Sequence, residues 1–261
     1  MDLEEFRKKI KSKEENLYVD IEDPITKKKL KYTIHNQKTL WRAETLFTKE
    51  PVTIEWIRSF KKDAIFYDVG ANVGIYSIFA SLISESKVFA FEPESNNFQI
   101  LMTNIVANNL SKNIKPFPIG ISDETSLTTL YLSGFDKGGS HHMVKESLDH
   151  NLIKKNSNYQ QGIFTTSLND LVNSWNLPFP NHLKIDVDGI EHKIIDKSEV
   201  IIKNKNLKSI LIEINSTRKQ DMEIVNFLNK NDFIFDQNQV DLATRKEGLH
   251  KGYAEYLFYR K

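Results

Sequence analysis

The sequence predicts an α/β protein built on a doubly wound, mainly parallel sheet, and three observations carry that expectation. From residue 64 onward, short runs that are apolar on both faces alternate with amphipathic helical runs. The first of them, "AIFYDV", passes straight into Gly70, Asn72 and Gly74 and then into "VGIYSIFASLIS", a strand–turn–helix junction. No internal repeat and no linker divides residues 64 to 261.

Residues 1–60 read as an N-terminal extension. A charged helix is expected over Asp2–Lys13. The β-prone runs "NLYVDI" and "KYTIH" flank the turn residues "DPITKK", which predicts a hairpin. In "FTKEPVTIEWIRSF", Pro51 suits a first helical turn, and Ile54, Ile57 and Phe60 recur at helical spacing. The main domain, 61–261, then supplies the strands "AIFYDV", "KVFAF", "IKPFPIGI", "HLKIDV" and "SILIEI". Helical runs "VGIYSIFASLIS" and "ESNNFQILMTNIVANNL" join the first three, and a long insertion, 123–182, separates the third from the fourth. After "SILIEI" come the helix "QDMEIVNFLNKN" and two closing strands, "DFIFDQ" and "YAEYLFYR".

Composition bounds the function. Hydrophobic residues are 39% and charged residues 27% of 261, ordinary for a globular protein. The net charge of +1 leaves no basic footprint for nucleic acid, so no nucleic-acid partner is expected. There is no cysteine, which excludes disulfides and thiolate metal sites. "MDLEEFRKKIKSKEEN" lacks the apolar core of a signal peptide, and no run reaches the ~20 apolar residues of a membrane span. A cytoplasmic location is the default expectation.

The glycine turn invites a ligand. In open α/β sheets ligands bind beyond the carboxyl ends of the strands, with the first strand–helix turn as the favoured cradle. Gly70 and Gly74 would let a ligand approach the backbone, and the helix amides that follow would hold an anionic group. Asp68 at the strand end would accept from an ammonium group. Glu92, in "KVFAFEPE", follows the turn by about the 20 residues at which an acidic side chain holds a ribose diol. A nucleoside joined to an amino acid meets all three demands, and that describes S-adenosylmethionine. Two other readings stand beside it. The glycines could merely allow a helix to pack on a strand. A nicotinamide dinucleotide is disfavoured because residues 70–75 read G-A-N-V-G-I rather than G-x-G-x-x-G.

"DVGANVGIYS", "FAFEPES", "GISD" and "LKIDVDGIEHKII" resemble, in order, the motifs of the FkbM family of S-adenosylmethionine-dependent methyltransferases. "TKEPVTIEWI" resembles the segment leading into the first strand there, so the likeness spans residues 48 to about 215. It implies the Rossmann-like class I methyltransferase sheet of seven strands with the last antiparallel. It also implies methyl transfer to a hydroxyl of a sugar, glycan or other small natural product. The cofactor-binding set it suggests is Asp68, Gly70, Ala71, Asn72, Gly74, Glu92 and Pro93, with the adenine passed by Gly120, Ile121 and Ser122 or Asp123.

"LKIDVDGIEHK" holds the expected chemistry. On a strand, Lys184, Asp186 and Asp188 would share one face, which makes Lys184 a catalytic candidate alongside Asp186. Asp186 falls where related enzymes place a residue beside the transferred methyl, so it is a candidate both for cofactor binding and for deprotonating the acceptor; a plain Asp186–Lys184 ion pair is the alternative. A divalent ion is not expected, although Asp186, Asp188 and Glu213 would suit Mg²⁺ or Ca²⁺ if one were used. "SGFDKGGSHHMVKES" in the insertion reads as a mobile, glycine-rich segment over the acceptor, with His141 or His142 as a candidate base. The paired histidines depart from the small hydroxylated residues common in the family, so no role is carried over to them. Residues 1–50 could cover the site or pair with another subunit, which leaves a homo-oligomer open. An RNA methyltransferase and a non-catalytic cofactor-binding scaffold are the remaining alternatives.

Overall fold

The computed structural model of the chain describes residues 2–5, 7, 17–147, 153–154, 156–248 and 251–261. Positions 3–5 are helical; most of the remaining charged helix expected over 2–13 lies outside the described residues. Strands β1 (Leu17–Glu22) and β2 (Lys29–Ile34) pair antiparallel as the expected hairpin. Two helices follow, α1 (Gln37–Glu44) and α2 (Pro51–Arg58). Asn36 starts α1 by accepting from the Thr39 N–H while the Thr39 hydroxyl takes the Asn36 N–H, a reciprocal cap. Pro51 opens α2 as its first residue.

The main sheet begins with β3 (Ile65–Val69), α3 (Ile75–Ile83), β4 (Lys87–Phe91), α4 (Ser95–Ala107) and β5 (Ile114–Phe117). The "IKPFPIGI" run is not the single strand that the sequence predicts. It breaks at Pro118, which has no N–H to continue a ladder, and Gly120–Ile121 forms β6 in a different sheet. The insertion 123–182 carries secondary structure of its own. It folds as β7 (Ser126–Leu132), β8 (Met143–Val144), β9 (Tyr159–Thr166) and α5 (Leu168–Asn173), and β7 and β9 pair antiparallel from Ser126↔Thr165 to Leu132↔Tyr159. These strands make a four-stranded sheet ordered β6-β9-β7-β8. The alternation then resumes with β10 (His182–Ile185), α6 (Glu191–Asp196), α7 (Glu199–Lys203), β11 (Ser209–Asn215), α8 (Lys219–Lys230), β12 (Phe233–Phe235), α9 (Gln237–Ala243) and β13 (Tyr253–Arg260).

The seven-stranded sheet runs β12-β13-β11-β10-β3-β4-β5. Every neighbour pairs in parallel except β13, which is antiparallel to both β11 and β12. Strand alternation feeds two cores. Tyr67, Val69, Leu183 and Ile185 enter one with Ile194 and Leu228; Phe66, Val88 and Leu211 enter the other with Ile57, Ile78 and Phe79. The chain winds outward from β3 through β4 to β5, then returns to β10 on the other side of β3. The carboxyl ends of β3 and β10 are therefore the switch point at which such sheets bind ligands.

The N-terminal elements are fastened to this frame by buried polar contacts. The Trp56 indole N–H donates to Ser209 Oγ at 2.7 Å, and the Asn104 carboxamide accepts from the Thr33 N–H at 2.7 Å. Asp23, fully buried, pairs with the Arg58 guanidinium. Among the described residues no helix is long and apolar enough to cross a membrane.

Candidate active site

Three cavities meet at the switch point, and Gly70, Asn72 and Asp186 line all of them. The first, about 70 Å³, is walled by Phe91, Glu92, Pro93, Gly120, Ile121 and His142. The second, about 40 Å³, is walled by Arg42, Lys49, Ala71, Tyr76 and Lys184. The third is the outer one, about 290 Å³; it adds Trp41, His141, Glu213 and Arg245 and shares Asp188 with the first.

The glycine turn is built differently from the sequence expectation. Gly70 and Gly74 hold φ of +80° and +84°, a region glycine enters without penalty. A Cβ on Gly70 would stand 1.9 Å from the Asp186 carbonyl oxygen, and one on Gly74 would stand 2.4 Å from Leu101 Cδ1. What these glycines admit is protein: the end of β10 and the flank of α4. The turn's amides are also occupied. Gly70 and Ala71 donate to the Phe91 carbonyl, Asn72 to the Glu92 carboxylate, Val73 to Asn72 Oδ1, and Gly74 to the Ala71 carbonyl.

Asp68 also departs from its expected role. It points into the core beneath α3, where it accepts from the Ser77 hydroxyl at 2.6 Å, and is 1% exposed. The register pairs it with Lys184 on the same face of the sheet, but it lies a step deeper than the cavity walls and lines none of the three. Its second oxygen has no hydrogen-bond partner among the described residues, and burial raises its carboxyl despite the neighbouring Lys184. Ser122 is likewise behind the wall, donating its N–H to the Thr166 carbonyl and its hydroxyl to Asp123.

Glu92 lines the first cavity with a fixed orientation. One carboxylate oxygen accepts from the Asn72 N–H at 2.8 Å and the other from the Glu94 N–H at 2.9 Å. Burial pushes its carboxyl up to about 7. These bonds fix its orientation while leaving acceptor capacity, since two carboxylate oxygens offer about four acceptor sites.

Strand β10 ends at Ile185, and Asp186 is the first residue beyond it. The Lys184 ammonium, 2% exposed, stands 2.8 Å from Asp186 Oδ2 and over the Tyr76 ring. Burial would raise the Asp186 carboxyl, but Lys184 outweighs it and holds that carboxyl well below the usual range. A carboxylate stabilised this strongly is a poor proton acceptor, which argues against Asp186 as the base. Asp188 has φ +64° and sits in the turn rather than on the strand face assumed from the sequence. Its Oδ2 accepts from the His141 N–H at 2.7 Å, and its Oδ1 lies 3.1 Å from His141 Nδ1.

His142 takes a different part from the base considered for it. Its Nδ1 accepts from the Ser133 N–H at 3.2 Å, and burial lowers its pKa, so the ring is neutral with its proton on Nε2. That nitrogen is buried, has no partner among the described residues, and belongs to a residue lining the first cavity. It can donate, not accept. The glycine-rich segment carrying both histidines is bolted down rather than loose. Gly139 O accepts from Asn72 Nδ2 and Asn97 Nδ2, Gly138 N donates to Asn97 Oδ1, and Asn36 Nδ2 donates to Lys137 O.

The carboxylates of Asp186, Asp188 and Glu213 converge, with one oxygen from each within 4.8 Å of the others. Two of the three already face cations: Lys184 at Asp186, and Arg245 at 2.9 Å from Glu213. Sequence reasoning missed the contribution of α1, which brings Trp41 and Arg42 to the cavities. The one signal available was Asn36 followed by Thr39, a weak cap signature.

A parallel sheet with one antiparallel strand beside its edge, opening at its switch point onto a buried acid after the second strand, is a class I methyltransferase arrangement. Residues 68–235 match the model described as the methyltransferase FkbM domain, and the chain belongs to that family of S-adenosylmethionine-dependent methyltransferases. It is similar to the hexuronic acid methyltransferase AglP of Haloferax volcanii, at 24% identity over 223 residues covering 81% of this chain and 86% of that one. Among solved structures, it resembles a precorrin-6Y C5,15-methyltransferase from Geobacter metallireducens, with TM-score 0.46 and 15% identity over 84% of this chain and 88% of that one. It also resembles M. jannaschii TYW2 in complex with AdoMet, with TM-score 0.49 and 13% identity over 95% and 88% of the two chains.

Proposed function

We propose that the chain transfers the methyl group of S-adenosylmethionine to a hydroxyl of a sugar or sugar-bearing small molecule, with His141 as the base. The observation that carries the reading is the Asp188–His141 pair at the outer cavity, next to Asp186. The donor set fits the cofactor. Glu92 would hold the ribose hydroxyls, and the unpartnered Nε2–H of His142 would donate to an acceptor atom of the nucleoside. Gly120, Ile121 and Pro93 would line the base, and Asp186 would face the ammonium and the sulfonium. The bound cofactor supplies the electrophilic methyl.

The chain's own residues supply alignment and proton removal. A sugar hydroxyl is a weak nucleophile, so its proton must leave as the C–O bond forms. Asp188 grips His141 at its backbone N–H and at Nδ1, which orients the imidazole and stabilises it once protonated. Trp41, 47% exposed, offers an aromatic face on which a sugar ring can stack. The hexuronic acid specificity named for the relative from Haloferax volcanii supports an acceptor of this class.

The test is methyl transfer from labelled S-adenosylmethionine to a panel of free sugars, nucleotide sugars and hexuronic acids. Transfer to a sugar hydroxyl, located by product analysis, is the expected result. No transfer to any sugar, together with salt-dependent RNA binding, would move the acceptor to RNA. Cofactor binding without turnover on any acceptor would favour the scaffold reading. A divalent ion on Asp186, Asp188 and Glu213 is a second route to an activated hydroxyl, favoured by their convergence. Loss of turnover on chelation, restored by Mg²⁺, would favour that route over His141.

A further inference from the structure

We infer that Arg42, from the helix that precedes the methyltransferase sheet, is the carboxylate-binding residue for the amino-acid end of the cofactor, and that Asp186 takes the ammonium. The inference rests on the cofactor reading above and assigns a subsite within it.

The amino-acid end of S-adenosylmethionine demands a donor or cation for its carboxylate and an anion for its ammonium. The turn's backbone, the expected donor, is spent, because the amides of residues 70–74 each already have an acceptor. Asp68, the expected acceptor, is buried out of reach beneath α3. The second cavity supplies both charges instead. Its walls include the carboxylate of Asp186 and three cations, Arg42, Lys49 and Lys184.

Two of those cations are committed. Lys184 faces Asp186 at 2.8 Å, and Lys49 faces the buried Glu50 at 2.5 Å. Arg42 is different. Its Nε donates to the Gly138 carbonyl at 2.9 Å, and no carboxylate among the described residues pairs with it. Its terminal nitrogens are thus available, and the fork of a guanidinium matches a carboxylate with two parallel hydrogen bonds. The single anchoring bond through Nε fixes the side chain beforehand, which limits the entropy lost on binding. Arg42 also lies close enough to Glu92 to favour that residue's ionised form, so it sits between the ribose site and the amino-acid site. Residues 36–50 would then be part of the cofactor site and not merely a cover for the acceptor.

The experiment uses the full chain and two ligands, S-adenosylhomocysteine and 5′-methylthioadenosine, which lacks the amino-acid end. Calorimetric affinities are compared for wild type, Arg42→Gln and Arg42→Lys. Loss of a charge-assisted pair predicts that Arg42→Gln weakens S-adenosylhomocysteine about tenfold to a hundredfold. The same substitution should leave methylthioadenosine within about twofold, and Arg42→Lys should recover part of the loss. Equal weakening of both ligands would mean that Arg42 acts only by holding the Gly138 segment in place, and would overturn the inference. So would an unchanged affinity for S-adenosylhomocysteine, including the case in which only the KM of the acceptor rises, which would place Arg42 at the acceptor instead. If wild type binds neither ligand, it is the cofactor reading itself that fails.

Discussion

Asp188 holds His141 with both of its carboxylate oxygens, one on the backbone N–H at 2.7 Å and one 3.1 Å from Nδ1. Both residues have left-handed backbones, φ +64° and +63°, a conformation uncommon outside glycine that has to be held by its surroundings. The pair joins two segments distant in sequence, the glycine-rich roof and the turn after β10, at the mouth of the outer cavity. If it is the base and its orienter, His141→Ala and Asp188→Asn should each lower kcat about a hundredfold or more while leaving the Kd of S-adenosylhomocysteine within a fewfold. Rates within a fewfold of wild type for both variants would remove His141 from the mechanism.

Asp186 should behave as a binding residue. Because Lys184 stabilises its charge, Asp186→Asn is expected to weaken S-adenosylhomocysteine about tenfold or more, with a smaller effect on kcat at saturating cofactor. A large loss in kcat with unchanged affinity would return the base to Asp186. Lys184→Met should fare worse in a different measurement. It leaves the buried Asp68 and the adjacent Asp186 without their shared cation, and a loss of about 3 kcal/mol or more in denaturant unfolding is expected.

Glu92 makes the site sensitive to pH. Its carboxyl is moved by burial from an ordinary value of 4.5 up to about 7, so across that interval the folded chain binds a proton that the unfolded chain has released. Stability should therefore fall as pH rises from about 4.5 to 7 and level off above, by on the order of 3 kcal/mol. Glu191, pushed up to about 8 by burial, adds a slope of the same sign. Glu92→Gln should remove part of the slope in thermal melts taken across that range. If Glu92 holds the ribose, cofactor binding should run the other way, because the hydroxyls would donate to the ionised form. The affinity for S-adenosylhomocysteine should rise about tenfold from pH 6 to pH 8 in wild type and stay flat in Glu92→Gln.

The two turn glycines should differ in how much they tolerate. A Cβ at Gly70 meets a backbone carbonyl at 1.9 Å, whereas one at Gly74 meets the end of a leucine side chain at 2.4 Å, which can rotate. Both carry the penalty of a positive φ. Gly70→Ala should lower Tm more than Gly74→Ala, and it should also impair cofactor binding, since the shifted carbonyl belongs to Asp186. Equal melting shifts would mean that backbone conformation, not the close approach of β10, sets the requirement.

The sequence alone determined the main sheet, because its strands are apolar on both faces and its helices are long enough to show their period. "AIFYDV", "KVFAF", "HLKIDV" and "SILIEI" became β3, β4, β10 and β11 at or near their expected bounds. Local chemistry likewise marked Gly70, Glu92, Gly120 and Asp186, all of which line the cavities. The tertiary structure decided what these residues touch. Whether a glycine's missing Cβ makes room for a ligand or for Asp186 depends on a strand more than 100 residues away, and no local pattern encodes that. The same holds for Asp68, whose side of the strand was legible only once α3 was seen to cover it. Arg42 lies on a helix of only two turns and the His141–Asp188 pair on polar loops, so their place at the site follows from long-range hydrogen bonds to Gly138, Gly139 and Asp188. Those bonds form only when distant parts of the chain pack together, and that is why folding, and not spacing along the sequence, brings the cations and the candidate base to the mouth of the sheet.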